Sequence, residues 1–371
     1  MKKIKTLHLA SFEGNIGDNA NHNGFYKKLH QNKNFNFEID KLEIREFYWK
    51  KRFFDKNFVD LVNSYDLLII GGGNYFELWV EDSPTGTSIA LDLELLKLIN
   101  IPILCNALGV DPGQGASDKN INKFKNFLRS LNDRNDFISI RNDGARKTII
   151  DYLGEEWMDI INHTPDAGFF LEVNEVPQYY LDKKYMAVNI VCDMPETRFK
   201  NMDYDKFVST FKDFFNEFLS KYKDYEIVFI PHIFRDVKFI NDILTVLNDD
   251  DRRKRVSVAP LLHGEKSFAY VMSIYKGAEF ALSNRFHANV CSIGLGTPTI
   301  GIVNYRQVRE LYNEIESDSF VDVRKEGFNI ELLKKVENLD KTTSNEEVMG
   351  KIRDQYQRYM IAVSSWLNER F

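Results

Sequence analysis

Strand-length apolar runs alternate with longer amphipathic segments along most of this chain, and that alternation limits the fold more than any other feature. Parallel strands need a crossover between them, and a helix is the usual one, so the pattern predicts parallel sheets covered by helices. In the first half, "IKTLHLASF" (4–12), "DLLIIGGGN" (66–74), "IPILCNAL" (101–108) and "DFISIRND" (136–143) read as strands. Helical spacing runs from about Asp18 to Leu29 and through "KFKNFLRSLN" (123–132). "FFLEVNEVPQYYLDKKY" (169–185), with Pro177 and mixed charge, reads as a linker, and the pattern then restarts. Strands are expected over 185–191, 225–232, 255–260, 278–284 and 297–303, with helices over 207–222, 236–248 and 265–277. Residues 345–371 read as one long amphipathic helix. The expected architecture is α/β, with two Rossmann-like domains (1–175 and 176–343) facing a central cleft and a C-terminal helix (344–371) packing back across the lobes.

Charge and cysteine usage narrow the function. A net charge of −6 argues against a nucleic-acid surface, which needs a basic field. Cys105, Cys192 and Cys291 are scattered and form no C-x-x-C pair, as expected of reduced thiols in a cytoplasmic protein. The apolar part of "MKKIKTLHLASFEGN" is too short for a signal peptide, and no run reaches the roughly 18 apolar residues of a membrane span. Histidine spacing suggests no metal site.

In open α/β sheets, ligands bind beyond the carboxyl ends of the strands, so polar residues there are candidates. "ALSNRFHANV" (281–290) places Arg285 and His287 where a strand gives way to a helix. Backbone N–H groups and the helix dipole favour an anion there, and Arg285 adds a planar fork of donors. His287 suits either anion binding or proton transfer. "ISIRND" (138–143) places Arg141 similarly in the first half, and two such arginines across a cleft would grip a two-headed anion. "FIPHIFRD" (229–236) adds His232 and Arg235. In "EGNIGDNANH" (13–22), Asp18 is either the helix N-cap or a carboxylate that deprotonates a hydroxyl. "IIGGGNYFELW" (69–79) lacks the third glycine of a dinucleotide loop and offers Asn74 and Glu77 to sugar hydroxyls. "DYD" (203–205) imitates a metal-binding carboxylate pair but reads better as a helix cap.

The blocks "GNIGDNA" (14–20), "LIIGGGN" (68–74), "ISIRNDGARK" (138–147), "TPDAGFF" (164–170) and "LSNRFHANVCSIGLGTPTIGI" (282–302) resemble, in order, those of the polysaccharide pyruvyl transferases. The resemblance implies a glycosyltransferase-B-like fold and transfer of the enolpyruvyl group of phosphoenolpyruvate onto a sugar, giving a pyruvate ketal. It implies that Arg141, Arg285, Phe286 and His287 hold the donor, with no cofactor besides that donor substrate. Where such proteins often carry a lysine after the last strand, this chain has Arg306 and Gln307. On this reading His287 is the acid, Asp18 or Glu77 takes the hydroxyl proton, His232 and Arg235 assist the donor, and Asn15 and Asn74 face the acceptor. That acceptor would be a sugar or a lipid-linked oligosaccharide of a surface polysaccharide. "FYWKKRFF" (47–54) suits stacking on a sugar or touching the inner face of a membrane. The alternatives are a nucleotide-sugar glycosyltransferase, with Glu310 or Glu314 holding a ribose, and a non-catalytic sugar- or anion-binding protein.

Overall fold

The alternating runs fold into two six-stranded sheets in which each neighbouring pair is parallel. The structure is a computed structural model that describes residues 1–200, 202–339 and 344–371. A domain boundary at 343 lies outside the described residues. The chain divides into two units, the first made of Met1–Phe12, Gly24–Ala167 and Ile352–Phe371. The second contains Glu13–Asn23 and Gly168–Lys351.

In the first unit the strand order is Phe35–Glu43, Lys2–Ala10, Leu67–Gly71, Ile103–Leu108, Phe137–Arg141 and Asn162–Thr164. Leu7, Leu68, Ile70, Ile103 and Ile138 join the core that the helix Asp118–Asp133 covers with Phe124, Phe127 and Leu131. The C-terminal helix Ser344–Arg370 is present as predicted. From Ile352 onward it belongs to this unit, where Tyr359 donates to Asn106 Oδ1 and the Trp366 indole N–H donates to the Asn135 carbonyl.

In the second unit the order is Val256–Val258, Glu226–Phe229, Tyr185–Asn189, Phe280–Ser283, Thr299–Val303 and Phe320–Asp322. Side chains alternate across a strand, so its two faces feed different cores. Met186, Val188, Ile227, Phe229 and Leu282 pack on one face against the phenylalanine-rich helix Tyr204–Lys221. Tyr185, Ala187, Val228 and Ala281 pack on the other, against Glu265–Lys276 and Phe286–Gly294. Asp203 caps the first of these helices by accepting from the Lys206 amide at 2.8 Å, as expected for "DYD". The strand order reverses between Tyr185–Asn189 and Phe280–Ser283, which makes their carboxyl ends the topological switch point of this sheet. Among the described residues no helix is long and apolar enough to cross a membrane.

Candidate active site

Asparagines tie the switch-point strand ends of the second unit together. Asn189, ending one strand, accepts the Arg285 amide on Oδ1 at 3.0 Å and donates to the Ile230 carbonyl at 3.0 Å. Asn284, just past the other strand, accepts from the Val191 amide at 3.0 Å. Its Nδ2 donates to the Ile302 carbonyl at 2.7 Å and to Asn304 Oδ1 at 2.9 Å. All three asparagines are buried, so each bond replaces water that the site has excluded.

Arg285 emerges from this frame with most of its fork engaged. Its Nε and Nη2 meet Asp236, with Nη2 to Oδ1 at 2.5 Å, and Nη2 also reaches Asp193 at 3.1 Å. Burial opposes the Arg285 charge, but Asp236 and Asp193 outweigh it and raise the pKa. Asp193 is shared with Arg198, and the two guanidiniums overcome the effect of burial to lower its pKa. Two arginines thus face two aspartates, with Arg198 and Asp236 buried and Arg285 and Asp193 half-buried. Within the Arg285 fork, Nε and Nη2 carry the hydrogen bonds to Asp236 and Asp193, and none runs from Nη1 among the described residues. His232 is buried, with Nε2 2.9 Å from the Tyr275 hydroxyl. Burial, then the Arg285 and His287 charges, push its pKa well below the usual histidine value. Burial thus favours its neutral form, and its Nδ1 is buried without a hydrogen-bond partner among the described residues. Arg235 is exposed and its guanidinium lies 5.5 Å from the Phe234 ring centre; its neighbour Asp236 is the residue turned into the network.

His287, in the first turn of Phe286–Gly294, is buried, and its Nδ1 lies 3.6 Å from Asp18 Oδ1. Phe286 packs edge-on against it, with ring centroids 5.3 Å apart. Asp18 is not the N-cap of its helix, Ile16–Leu29. Asn15 takes that part by accepting the Gly17 amide at 3.0 Å, and its Nδ2 also contacts Asp18 Oδ1 at 3.3 Å. That leaves the Asp18 carboxylate to serve as partner to the imidazole. Ile16 and Ala20 share a core with Ala288 and Cys291, which holds the two helices side by side. Gly17 permits the approach, because a Cβ there would lie 2.5 Å from the His287 Cβ.

In the first unit, Arg141 is buried in two ion pairs, with Asp143 at 2.8 Å and Asp166 at 3.3 Å. It ends the strand Phe137–Arg141, just before the loop that leads into Ala145–Tyr152. Asn74 donates to Asp111 at 3.4 Å. Asn74, Asp143 and Arg141 converge on Gly109, where an added Cβ would come within 2.5, 2.7 and 3.2 Å of them. Glu77, on the short strand Phe76–Glu77, accepts a hydrogen bond from Ser88. Burial, with the Asp111 charge adding to it, pushes its pKa up to about 7.

A family model for polysaccharide pyruvyl transferases matches residues 15–305, which include Asp18, the Arg285–His287 segment and the asparagine frame. The chain belongs to the polysaccharide pyruvyl transferase family. No curated protein matches it. Among solved structures it resembles the UDP-GlcNAc 2-epimerase of Methanocaldococcus jannaschii, at 12% identity and TM-score 0.53, over 93% of this chain and 99% of that one. It also resembles the MnaA–UDP co-structure of S. aureus, at 12% identity and TM-score 0.52, over 93% and 91% of the two chains. The trehalose-6-phosphate phosphatase N-terminal domain of Candida albicans aligns at 11% identity and TM-score 0.55, over 99% and 97%. At such identities these likenesses show a shared fold.

This pyruvyl transferase family member is thus a transferase of polysaccharide biosynthesis. Sequence reading did not single out Asp236, Asp193, Arg198 or the three asparagines. A signal for the asparagines was present, since "AVN", "LSN" and "IVN" each close an apolar run with Asn. Arg306, where a lysine was expected from the resemblance, opens the helix Arg306–Glu314.

Proposed function

We propose that the protein transfers the enolpyruvyl group of phosphoenolpyruvate to two hydroxyls of one sugar, forming a pyruvate ketal and releasing phosphate. The observation that carries this reading is the Asp18–His287 pair at the amino end of Phe286–Gly294, the helix that Arg285 directly precedes. The helix end and the Arg285 fork supply N–H donors to the anionic donor. His287 Nε2 gives a proton to the methylene carbon while an acceptor hydroxyl oxygen bonds to the adjacent enol carbon. Asp18, with Oδ1 3.6 Å from Nδ1, orients the ring from its other nitrogen. A second hydroxyl oxygen then bonds to the same carbon as the carbon–oxygen bond to phosphate breaks. The first hydroxyl proton balances the one added to carbon, and the second leaves with phosphate.

The test is turnover in deuterium oxide with phosphoenolpyruvate and a panel of glycans. One deuterium in the ketal methyl group, with stoichiometric phosphate, is the expected result. No phosphate release with any glycan, or wild-type release by His287→Ala, would remove this assignment.

A further inference from the structure

A pocket of about 490 Å³ in the first unit has no part in the chemistry described above. Its walls are aromatic, formed by Phe47, Tyr48, Phe53 and Phe54, while Glu77 and Ser88 put polar groups into it. Phe47 and Phe54 stack with centroids 4.2 Å apart, so that wall is preformed. Phe53 stands 60% exposed and Tyr48 41%, an unusual amount of aromatic surface to leave in water. Arg52, on the rim, is paired with Glu46. The switch point of the first sheet lies between Lys2–Ala10 and Leu67–Gly71. Ser11, just past the first of these strands, donates its amide to the Tyr75 hydroxyl at 2.7 Å and accepts from Arg45 Nε at 3.0 Å. Arg45 in turn acts electrostatically on Glu77.

We infer that this pocket binds a pyranose ring of the acceptor, with its C–H face on the aromatic wall and a hydroxyl on the Glu77 carboxylate. The inference rests on the pyruvyl-transfer reading, for which it names the acceptor half. Aromatic walls alone would equally suit a lipid chain. A lipid would leave the carboxyl of Glu77 and the hydroxyl of Ser88 desolvated with nothing to bond but each other, whereas a sugar edge satisfies them. The raised pKa of Glu77 places its ionisation near neutral pH, where a carboxylate can accept a hydroxyl proton without holding it tightly.

The experiment is saturation-transfer NMR on the whole chain without donor, using the methyl glycosides of glucose, galactose, mannose and N-acetylglucosamine. Ring-proton saturation of at least one glycoside is expected, weakened about tenfold or more in affinity by Phe53→Ala. Glu77→Gln should also weaken it, and stabilisation by phosphoenolpyruvate should be the same in Phe53→Ala as in wild type. Absence of saturation for all four glycosides, or saturation that neither substitution alters, overturns the inference. So does loss of binding to anionic phosphatidylglycerol vesicles in Phe53→Ala with glycoside saturation unchanged, because the wall would then be a membrane contact. If glycosides bind here but phosphoenolpyruvate does not stabilise the protein, the pocket stands and the donor reading falls.

Discussion

A Cβ added at Gly17 would lie 2.5 Å from the Cβ of His287 and 2.8 Å from its Nδ1, so the Asp18–His287 geometry depends on a hydrogen atom at that position. Gly17→Ala is expected to displace the imidazole and to lower kcat about as much as loss of the acid itself. Removing a general acid lowers rates by about 10²–10⁴-fold, the range expected for His287→Ala. Phosphoenolpyruvate affinity should fall less than kcat in that variant. Asp18→Asn should lose kcat while keeping the thermal stabilisation by phosphoenolpyruvate, because the amide still packs but carries no charge. Glu77 makes a separate prediction. Its pKa is raised to about 7, so it is protonated at low pH and becomes a competent base as pH rises through that value. An ascending limb of kcat/KM near pH 7 is expected, and Glu77→Gln should flatten it. A limb that survives the substitution would assign it to another group.

Between elements, the cross-strand asparagines hold Arg285 and its helix in place. Asn284 is wholly buried and makes three hydrogen bonds, to Val191, Ile302 and Asn304. Its replacement by alanine leaves buried partners unsatisfied, at about 1–3 kcal/mol for each one that water cannot reach. Asn284→Ala should therefore lower the denaturation midpoint clearly, and an unchanged midpoint would mean that the frame is not under load. Arg285→Lys should both destabilise the protein and weaken donor binding, since a single ammonium cannot meet Asp236 in two places and still reach Asp193. The central strands were legible from sequence because they are apolar on both faces, as "LLIIG" is throughout. The strands that escaped notice lie at sheet edges. In "FNFEIDKLE" (Phe35–Glu43) most outward residues are polar, and a short edge strand such as Asn162–Thr164 has no apolar run to betray it. The same limit applied to the site. Strand-end polar residues could be named, but sequence does not reveal that Asp236 would occupy the Arg285 fork, or that Asn15 would take the cap and leave Asp18 to His287.

For the whole molecule, the repeated β/α pattern was enough to predict two parallel α/β units, while chain membership in those units was not legible. Residues 13–23 precede nearly all of the first unit in sequence yet belong to the second, where Ile16 and Ala20 share a core with Ala288 and Cys291. That allocation puts Asp18 and His287 in one unit and makes the donor site testable by ligand-linked stability. A ligand that binds the native state at about 100 times its Kd adds about 2.7 kcal/mol, whatever the fold it shares with other proteins. The relatives in fold include enzymes named for UDP-GlcNAc, so UDP-GlcNAc is the proper competitor. Phosphoenolpyruvate should raise the melting temperature of the wild type with saturable concentration dependence, and UDP-GlcNAc should not. His287→Ala should retain most of the shift and Arg285→Lys little of it, because on the proposed reading the first loses a proton donor and the second an anion-binding fork. The reverse pattern, stabilisation by UDP-GlcNAc alone, would replace the pyruvyl donor with a nucleotide sugar while leaving the Asp18–His287 pair in need of a different reaction.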